Sequence, residues 1–284
     1  MKAEGDSATT RLSRQLERQR TISEMVMAEG AVRIDELAER FGTSQMTVHR
    51  DLDELEARGL LRKSRGVATA LSSSLVESSD VYRAGQQREE KKEIAKAALE
   101  FVEPGQAIFL DDSTTVLELA KMLPSRAPLT VLTNVLTVID ELKGARGITL
   151  VALGGTYYNW CSSFMGGMTT EAIRNLRADL FVMSAAAITD DVCFHQSQAT
   201  VDIKRAMFEA SAKRLLLVDH TKFEKRALHA LPPLSGFDAV VVDSRTKRDD
   251  IARLESRNIQ VVVARNHSRS DASAKHSHVD ASRS

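Results

Sequence analysis

The chain has 284 residues, enough for one small and one medium domain, each with its own core. Its 43% hydrophobic and 27% charged content is that of an ordinary globular protein, with no apolar run near the ~20 residues a membrane helix needs. A formal net charge of +0 leaves nucleic-acid binding to depend on where the charge sits, and two cysteines, Cys161 and Cys193, are too few for a disulfide framework and lack metal-ligand spacing.

The N-terminus is polar and has no signal-peptide core, so the chain reads as cytoplasmic, with no metal or cofactor expected. Residues 1–10 are expected to be a disordered lead. From 11 to 70 the pattern is of short helices with basic punctuation, a DNA-binding module. Leu12, Leu16, Ile22, Met25 and Val26 mark a first helix that Gly30 ends. Val32 and Ile34 form an extended link. A second helix begins near Asp35 and Glu36, acids suited to the positive end of a helix dipole, and buries Leu37 and Phe41.

Ser44 is a good N-cap for a third helix. Val48, Leu52 and Leu55 repeat at i, i+4, i+7 and must face a core. That spacing turns Met46, His49 and Arg50 outward, flanked by Gln45 and Thr47. A helix with a packed back and a polar, cationic N-terminal half suits the major groove. The basic stretch Arg62-Lys63-Ser64-Arg65-Gly66 then forms a turn between strands, a wing able to meet phosphates through Arg62, Lys63 and Arg65. The expectation is a winged helix-turn-helix. A small dimerisation bundle, with Arg50 paired to Asp53 or Glu54, is the competing reading, and it leaves the wing unexplained.

Serine-rich residues 71–87 read as a linker. Between 88 and 264, apolar runs alternate with helical patterns: 107–110, 129–132, 148–153, 180–183, 215–218, 239–242 and 259–263. Their apolar continuity predicts strands covered on both faces, hence a mainly parallel, doubly wound α/β domain. In such sheets ligands bind beyond the carboxyl ends of the strands. The residues there are Asp111 with Ser113, Thr114 and Thr115, then Thr133-Asn134, Gly154-Gly155, and Asp219 with Lys222. Free N–H groups and hydroxyls at 113–115, with Lys222, predict a phosphate cradle. Asp111 and Asn134 are expected to take hydroxyl or linking oxygens, which together describe a sugar phosphate. A helix cap at 113–115 and an Asp219–Lys222 surface pair are the plain alternatives. Tyr157, Tyr158 and Trp160 suit either the pocket, a core or a subunit contact. Both cysteines are expected to be buried and unreactive. Residues 265–284, rich in Ser, His and Asp, are expected to be a disordered tail.

The ordered run Val32 to Phe41, Ser44 to Leu52, Leu55-Glu56 and Gly59 to Arg62 resembles the DeoR family of sugar-metabolism regulators. Segments 111–115, 133–134, 154–155, 204–207 and 219–223 resemble that family's effector domain, which shares its fold with ribose-5-phosphate isomerase. The resemblance implies a repressor that binds a double-stranded operator as a homodimer or homotetramer and responds to a phosphorylated sugar or sugar alcohol. Within it, His49-Arg50 stands where two basic residues are usual, Arg33 where Ser or Thr often opens helix two, and Ser113 where Gly is usual. Arg33 and Ser44 join the expected DNA-facing set. An isomerase-like enzyme with a DNA-binding appendage is the alternative. It needs a carboxylate base, for which Asp190 and Asp191 are the nearest acids after 180–183.

Overall fold

The computed structural model describes residues 14–19, 21–26, 29–57, 61–70 and 80–264. The expected lead (1–10), the serine-rich part of the linker (71–79) and the expected tail (265–284) lie outside them, as does Leu12.

Residues 14–19 and 21–26 are helical. Strand β1 (Ala31–Arg33), helix α1 (Ile34–Arg40), helix α2 (Gln45–Ala57) and strands β2 (Leu61–Ser64) and β3 (Val67–Ala70) follow. The extended link at Val32 is thus a true strand, completing an antiparallel sheet in the order β1-β3-β2. Arg65 and Gly66 join β2 to β3 with φ of 47° and 78°. Two residues at positive φ make the hairpin turn whose twist matches its strands, and Gly66 adopts it without steric cost. Val48, Leu52 and Leu55 pack with Ile22, Val26, Val32, Leu37 and Leu61 in one core, as their spacing predicts. The first helix is also tied to α2 by polar contacts. Arg18 Nε lies 2.6 Å from buried Asp51, which also accepts Gln19 Nε2 at 3.1 Å.

Helices α3 (Asp80–Gly85) and α4 (Arg88–Ala98) lead into a seven-stranded sheet in which every pairing is parallel. Its strands are β4 (Ala107–Leu110), β5 (Leu129–Thr133), β6 (Ile148–Ala152), β9 (Ala178–Met183), β12 (Ser211–Val218), β14 (Ala239–Val242) and β15 (Val261–Val263). The order is β15-β14-β12-β9-β4-β5-β6. These correspond to the seven apolar runs. Alternation along β9 serves both faces: Leu180 and Val182 pack with α4, α5 (Thr114–Ala120) and α6 (Leu136–Leu142), while Phe181 and Met183 pack with α7 (Gly167–Arg174), α8 (Gln198–Glu209) and α9 (Arg248–Glu255). The fold is the doubly wound α/β architecture expected.

Three features depart from the expected outline. Residues 80–85 of the supposed linker are helix α3, which packs on α5. Strands β7 (Thr156–Tyr158) and β8 (Ser163–Met165) form a separate hairpin. Strands β10 (Ala187–Thr189), β11 (Val192–His195) and β13 (His229–Pro233) make a small antiparallel sheet. These elements are only three to six residues long, too short for a period to announce them.

The sheet order contains a reversal that positions the site. From β4 the chain winds outward through β5 and β6, then returns to place β9 on β4's other side and continues to β15. Successive connections therefore leave β4 and β9 in opposite directions, which opens a crevice between their carboxyl ends.

Candidate functional site

Two surfaces collect the residues that sequence reasoning selects. On the first, α2 presents Gln45, Met46 and Arg50 to solvent, with Thr47 and His49 half-buried beside them. Ser44 Oγ accepts the Thr47 N–H at 3.3 Å, the expected N-cap. The acids that could have claimed Arg50 are engaged elsewhere. Asp53 pairs with Lys63, and Glu54 accepts Gln15 and Gln19. Arg50 makes no ion pair among the described residues, so its charge is available. The wing is divided: Arg62 and Arg65 are exposed, whereas the Lys63 ammonium is drawn onto Asp53 and its N–H donates to Glu56 at 2.9 Å. Lys63 therefore braces the wing against α2 rather than projecting like its neighbours. Arg33, at the N-cap of α1, gives no side-chain cap and instead pairs with Asp35 at 2.7 Å while staying exposed.

The second surface is a cavity of about 250 Å³ at the β4/β9 crevice. Ser113, Thr114 and Thr115 line it from beyond β4, and Ser184, Ala185 and Ala186 from beyond β9. Asp219, Thr221, Lys222 and Lys225 come from the turn after β12. Five of the ten residues expected to bind an effector thus share one space: Ser113, Thr114, Thr115, Asp219 and Lys222.

Asp111 does not join them. It is buried beneath, where Oδ1 accepts the Ser113 N–H (3.0 Å) and Oδ2 accepts the Ser184 N–H (2.8 Å) and Lys204 Nζ (2.6 Å). Its acceptor capacity is spent on holding the two loops together. Thr133 and Asn134 do not line the cavity either: Thr133 Oγ1 donates to the Leu110 carbonyl (2.9 Å), and Asn134 Nδ2 donates to the Phe164 carbonyl (2.7 Å), anchoring β8. The Gly154 carbonyl accepts Thr169 Oγ1 at 2.8 Å, while a Cβ on Gly155 would stand 2.1 Å from that same oxygen. This pair seats the hairpin against α7.

Sequence reasoning missed most of the cavity wall. Arg83, Gln86, Gln87 and Lys91 reach it from α3, α4 and the turn between them, His195 and Gln196 from the end of β11, and Lys204 from α8. Lys204 stood in the motif at 204–207, but its partners could not be named from one chain read in order. It lies 2.6 Å from Asp111 and 3.1 Å from Asp112, all three buried. Burial opposes its charge, but the two carboxylates hold its pKa above the ordinary lysine value. Burial likewise pushes Asp112 upward, yet Lys204, with His195 and Arg83, brings it down to about 2.

Among the described residues, Asp219 is the one carboxylate in the cavity lining. It accepts the Thr221 N–H at 3.0 Å and the Thr221 hydroxyl, with Lys222 Nζ at 3.8 Å. Burial acts to raise its pKa, but Lys222 and Thr221 lower it on balance. With Lys204 neutralised from below, the rest of the lining is cationic, an electrostatic match for an anion. Ser113 Oγ caps α5 by accepting the Val116 N–H at 3.2 Å, which leaves its O–H, like those of Thr114 and Thr115, able to donate to a ligand.

Of the remaining candidates, Asp191 is buried and bound to Arg257 (2.7 Å) and Arg253, Asp190 is exposed, and neither lines the cavity. Trp160 packs near His195, with ring centroids 6.4 Å apart, and Tyr157 packs on Phe164. Both thiols are buried, which pushes Cys193 up to about 12 and Cys161 in the same direction.

The chain matches two family models. The DeoR-like helix-turn-helix domain covers residues 18–74, and the DeoR C terminal sensor domain covers residues 86–244. It is 33% identical to the transcriptional repressor AccR of Agrobacterium fabrum, across 81% of this chain and 90% of that one. Identity to the glycerol-3-phosphate regulon repressor of Escherichia coli is 32%, across 81% and 92%. The lactose phosphotransferase system repressor of Lactococcus lactis is also 32% identical, across 79% and 89%. Among solved structures, ribose 5-phosphate isomerase A from Methanocaldococcus jannaschii superposes with a TM-score of 0.37 at 15% identity, over 49% of this chain and 55% of that one.

Proposed function

The chain belongs to the DeoR family of transcriptional regulators, and on that premise we propose that it is a cytoplasmic repressor of carbohydrate-metabolism genes whose grip on operator DNA is governed by a phosphorylated sugar or sugar alcohol. Relatives named for a glycerol-3-phosphate regulon and a lactose phosphotransferase system support that ligand class. In this reading Gln45, Met46, His49 and Arg50 meet base edges or phosphates, and Arg62 and Arg65 meet phosphates. Two-fold operators call for a homodimer or homotetramer.

The observation that carries the effector assignment is the cationic cavity at the β4/β9 crevice. Thr114, Thr115 and Lys222 hold the phosphate, and the wall around Ser184, His195 and Gln196 receives the hydroxyl-bearing part. A volume of about 250 Å³ favours a ligand with a short carbon chain. Binding rather than turnover fits the acids. Isomerisation needs a free carboxylate poised over the ligand, whereas Asp111 and Asp112 serve Lys204, Asp219 in the lining accepts from Thr221 and faces Lys222, and Asp190 and Asp191 lie outside the lining.

The test uses an operator selected from random duplexes, with its affinity measured against a panel of phosphorylated and free sugars. Lys222→Met should bind operator normally but lose about 1.5–3 kcal/mol of affinity for the phosphorylated ligand, the worth of one charge-assisted hydrogen bond. Equal losses for phosphorylated and free sugars would contradict the phosphate assignment, and isomerase turnover would displace the binding reading altogether.

A further inference from the structure

The outward face of α2 carries one large apolar side chain. Met46 is 65% exposed and takes no part in the core behind it, where Val48, Leu52 and Leu55 pack. We propose that Met46 reads the 5-methyl group of a thymine in the operator's major groove, and so fixes one base pair of each half-site. This rests on α2 being the helix that enters the groove, as proposed above, and names the base that the middle of its face selects.

At about 3.6 residues per turn, Met46 and Arg50 lie roughly opposite Val48, Leu52 and Leu55, on the line that runs deepest when such a helix docks. Gln45 and His49 sit to one side of that line and Thr47 to the other. Charge prepares the same face for DNA. Asp53, the acid further along the line, is paired with Lys63, while Arg50 and the wing residues Arg62 and Arg65 stay exposed. Met46 is thus an apolar point inside a polar and cationic surface.

The groove offers one match for it. Base-pair edges there present donors and acceptors, and the thymine methyl is their one apolar group. The methionine chain donates no hydrogen bond and its sulfur is a weak acceptor. Pressed on a guanine, adenine or cytosine edge, it strips water from polar atoms and returns nothing, which is costly. Against a thymine methyl, both partners leave water at a gain. Met46 therefore favours thymine and disfavours the other three bases at the same position. Its unbranched chain adapts to the methyl without backbone movement. Met46 and Arg50 stand one turn apart, about 5–6 Å between Cβ atoms, against about 3.4 Å per base step. The thymine accordingly falls within about two base pairs of the contact that Arg50 makes.

The experiment starts from an operator that the wild-type chain selects from random duplexes. Each thymine in turn is replaced by deoxyuridine, which removes the methyl and keeps the pairing. One thymine per half-site should be sensitive. Its replacement weakens wild-type binding about fourfold, the worth of one buried methyl, and about sixteenfold when both half-sites carry it. Met46→Ala should bind the unmodified operator more weakly by a similar factor and lose its response to deoxyuridine at this position alone. Cytosine there should cost the wild type more than deoxyuridine does. Replacing that cytosine by 5-methylcytosine should recover part of the loss for the wild type and none for Met46→Ala. Operator binding with no deoxyuridine-sensitive thymine would overturn the assignment while leaving α2 as the groove helix. So would a sensitive thymine whose methyl Met46→Ala senses as strongly as the wild type. A wild type that selects no operator would remove the groove helix and the methyl contact together.

Discussion

The separation of scaffold from ligand contact can be tested at Asp111. Sequence reasoning treats it as a receiver of ligand hydroxyls; the structure gives it three internal donors at 2.6–3.0 Å. Asp111→Asn keeps the shape, but wherever its NH₂ is turned it faces an N–H. In the better orientation the amide oxygen accepts Ser184 and Lys204, leaving the Ser113 N–H buried against another donor, a cost of about 1–3 kcal/mol. Removing one partner of a buried ion pair costs about 3–5 kcal/mol. Asp112, 3.1 Å from Lys204, still balances that ammonium, so the loss belongs at the lower end. These contributions overlap, and the expected destabilisation is about 3 kcal/mol. Trp160 is the sole tryptophan and packs in the sheet domain, so its fluorescence during urea unfolding reads that domain's stability without interference from the helix-turn-helix. Anion affinity of the folded variant should change little. A loss below about 1 kcal/mol accompanied by abolished ligand binding would refute the scaffold assignment, because an unmade internal bond network cannot be that cheap.

The wing offers a second comparison. Arg62→Ala and Arg65→Ala should each reduce the log–log salt slope of operator binding by about 0.9, and Lys63→Ala by clearly less, since its ammonium is committed to Asp53; three equal reductions would show that Lys63 releases Asp53 on DNA. At the hairpin, Gly155→Ala would put a Cβ 2.1 Å from Thr169 Oγ1 and 2.7 Å from the Met165 carbonyl, an overpacking cost of about 1–3 kcal/mol. Gly154→Ala meets nothing within 4 Å and should melt like the wild type, so similar melting temperatures for the two variants would rule out the close approach. Asp112 titrates near 2 in the folded protein against an ordinary 3.8, so its contribution is complete above pH 4 and is lost as pH falls through about 2. Asp112→Asn should therefore cost stability at pH 7 and progressively less on acidification, which an acid-unfolding series would check.

What could be read from the sequence is what depends on near neighbours. The Val48, Leu52, Leu55 spacing marks the buried face of α2 because helical periodicity is local, and it turns Arg50 outward by the same geometry. The seven sheet strands are apolar throughout because both faces are covered, which a linear reading detects. Residues 113–115, 219 and 222 share one cavity because a parallel sheet opens at the carboxyl ends of its strands, which strand order alone suggests. Tertiary structure decided the rest, since partners separated widely in sequence leave no local pattern. Asp111 became scaffold because Ser184 and Lys204, 73 and 93 residues away, deliver their donors to it. Lys63 was turned from the wing's outer face by Asp53 of α2. Lys91 reads on its own helix as one more surface lysine, and only the packing of α4 beside the turn after β12 buries it in the cavity wall near Lys222.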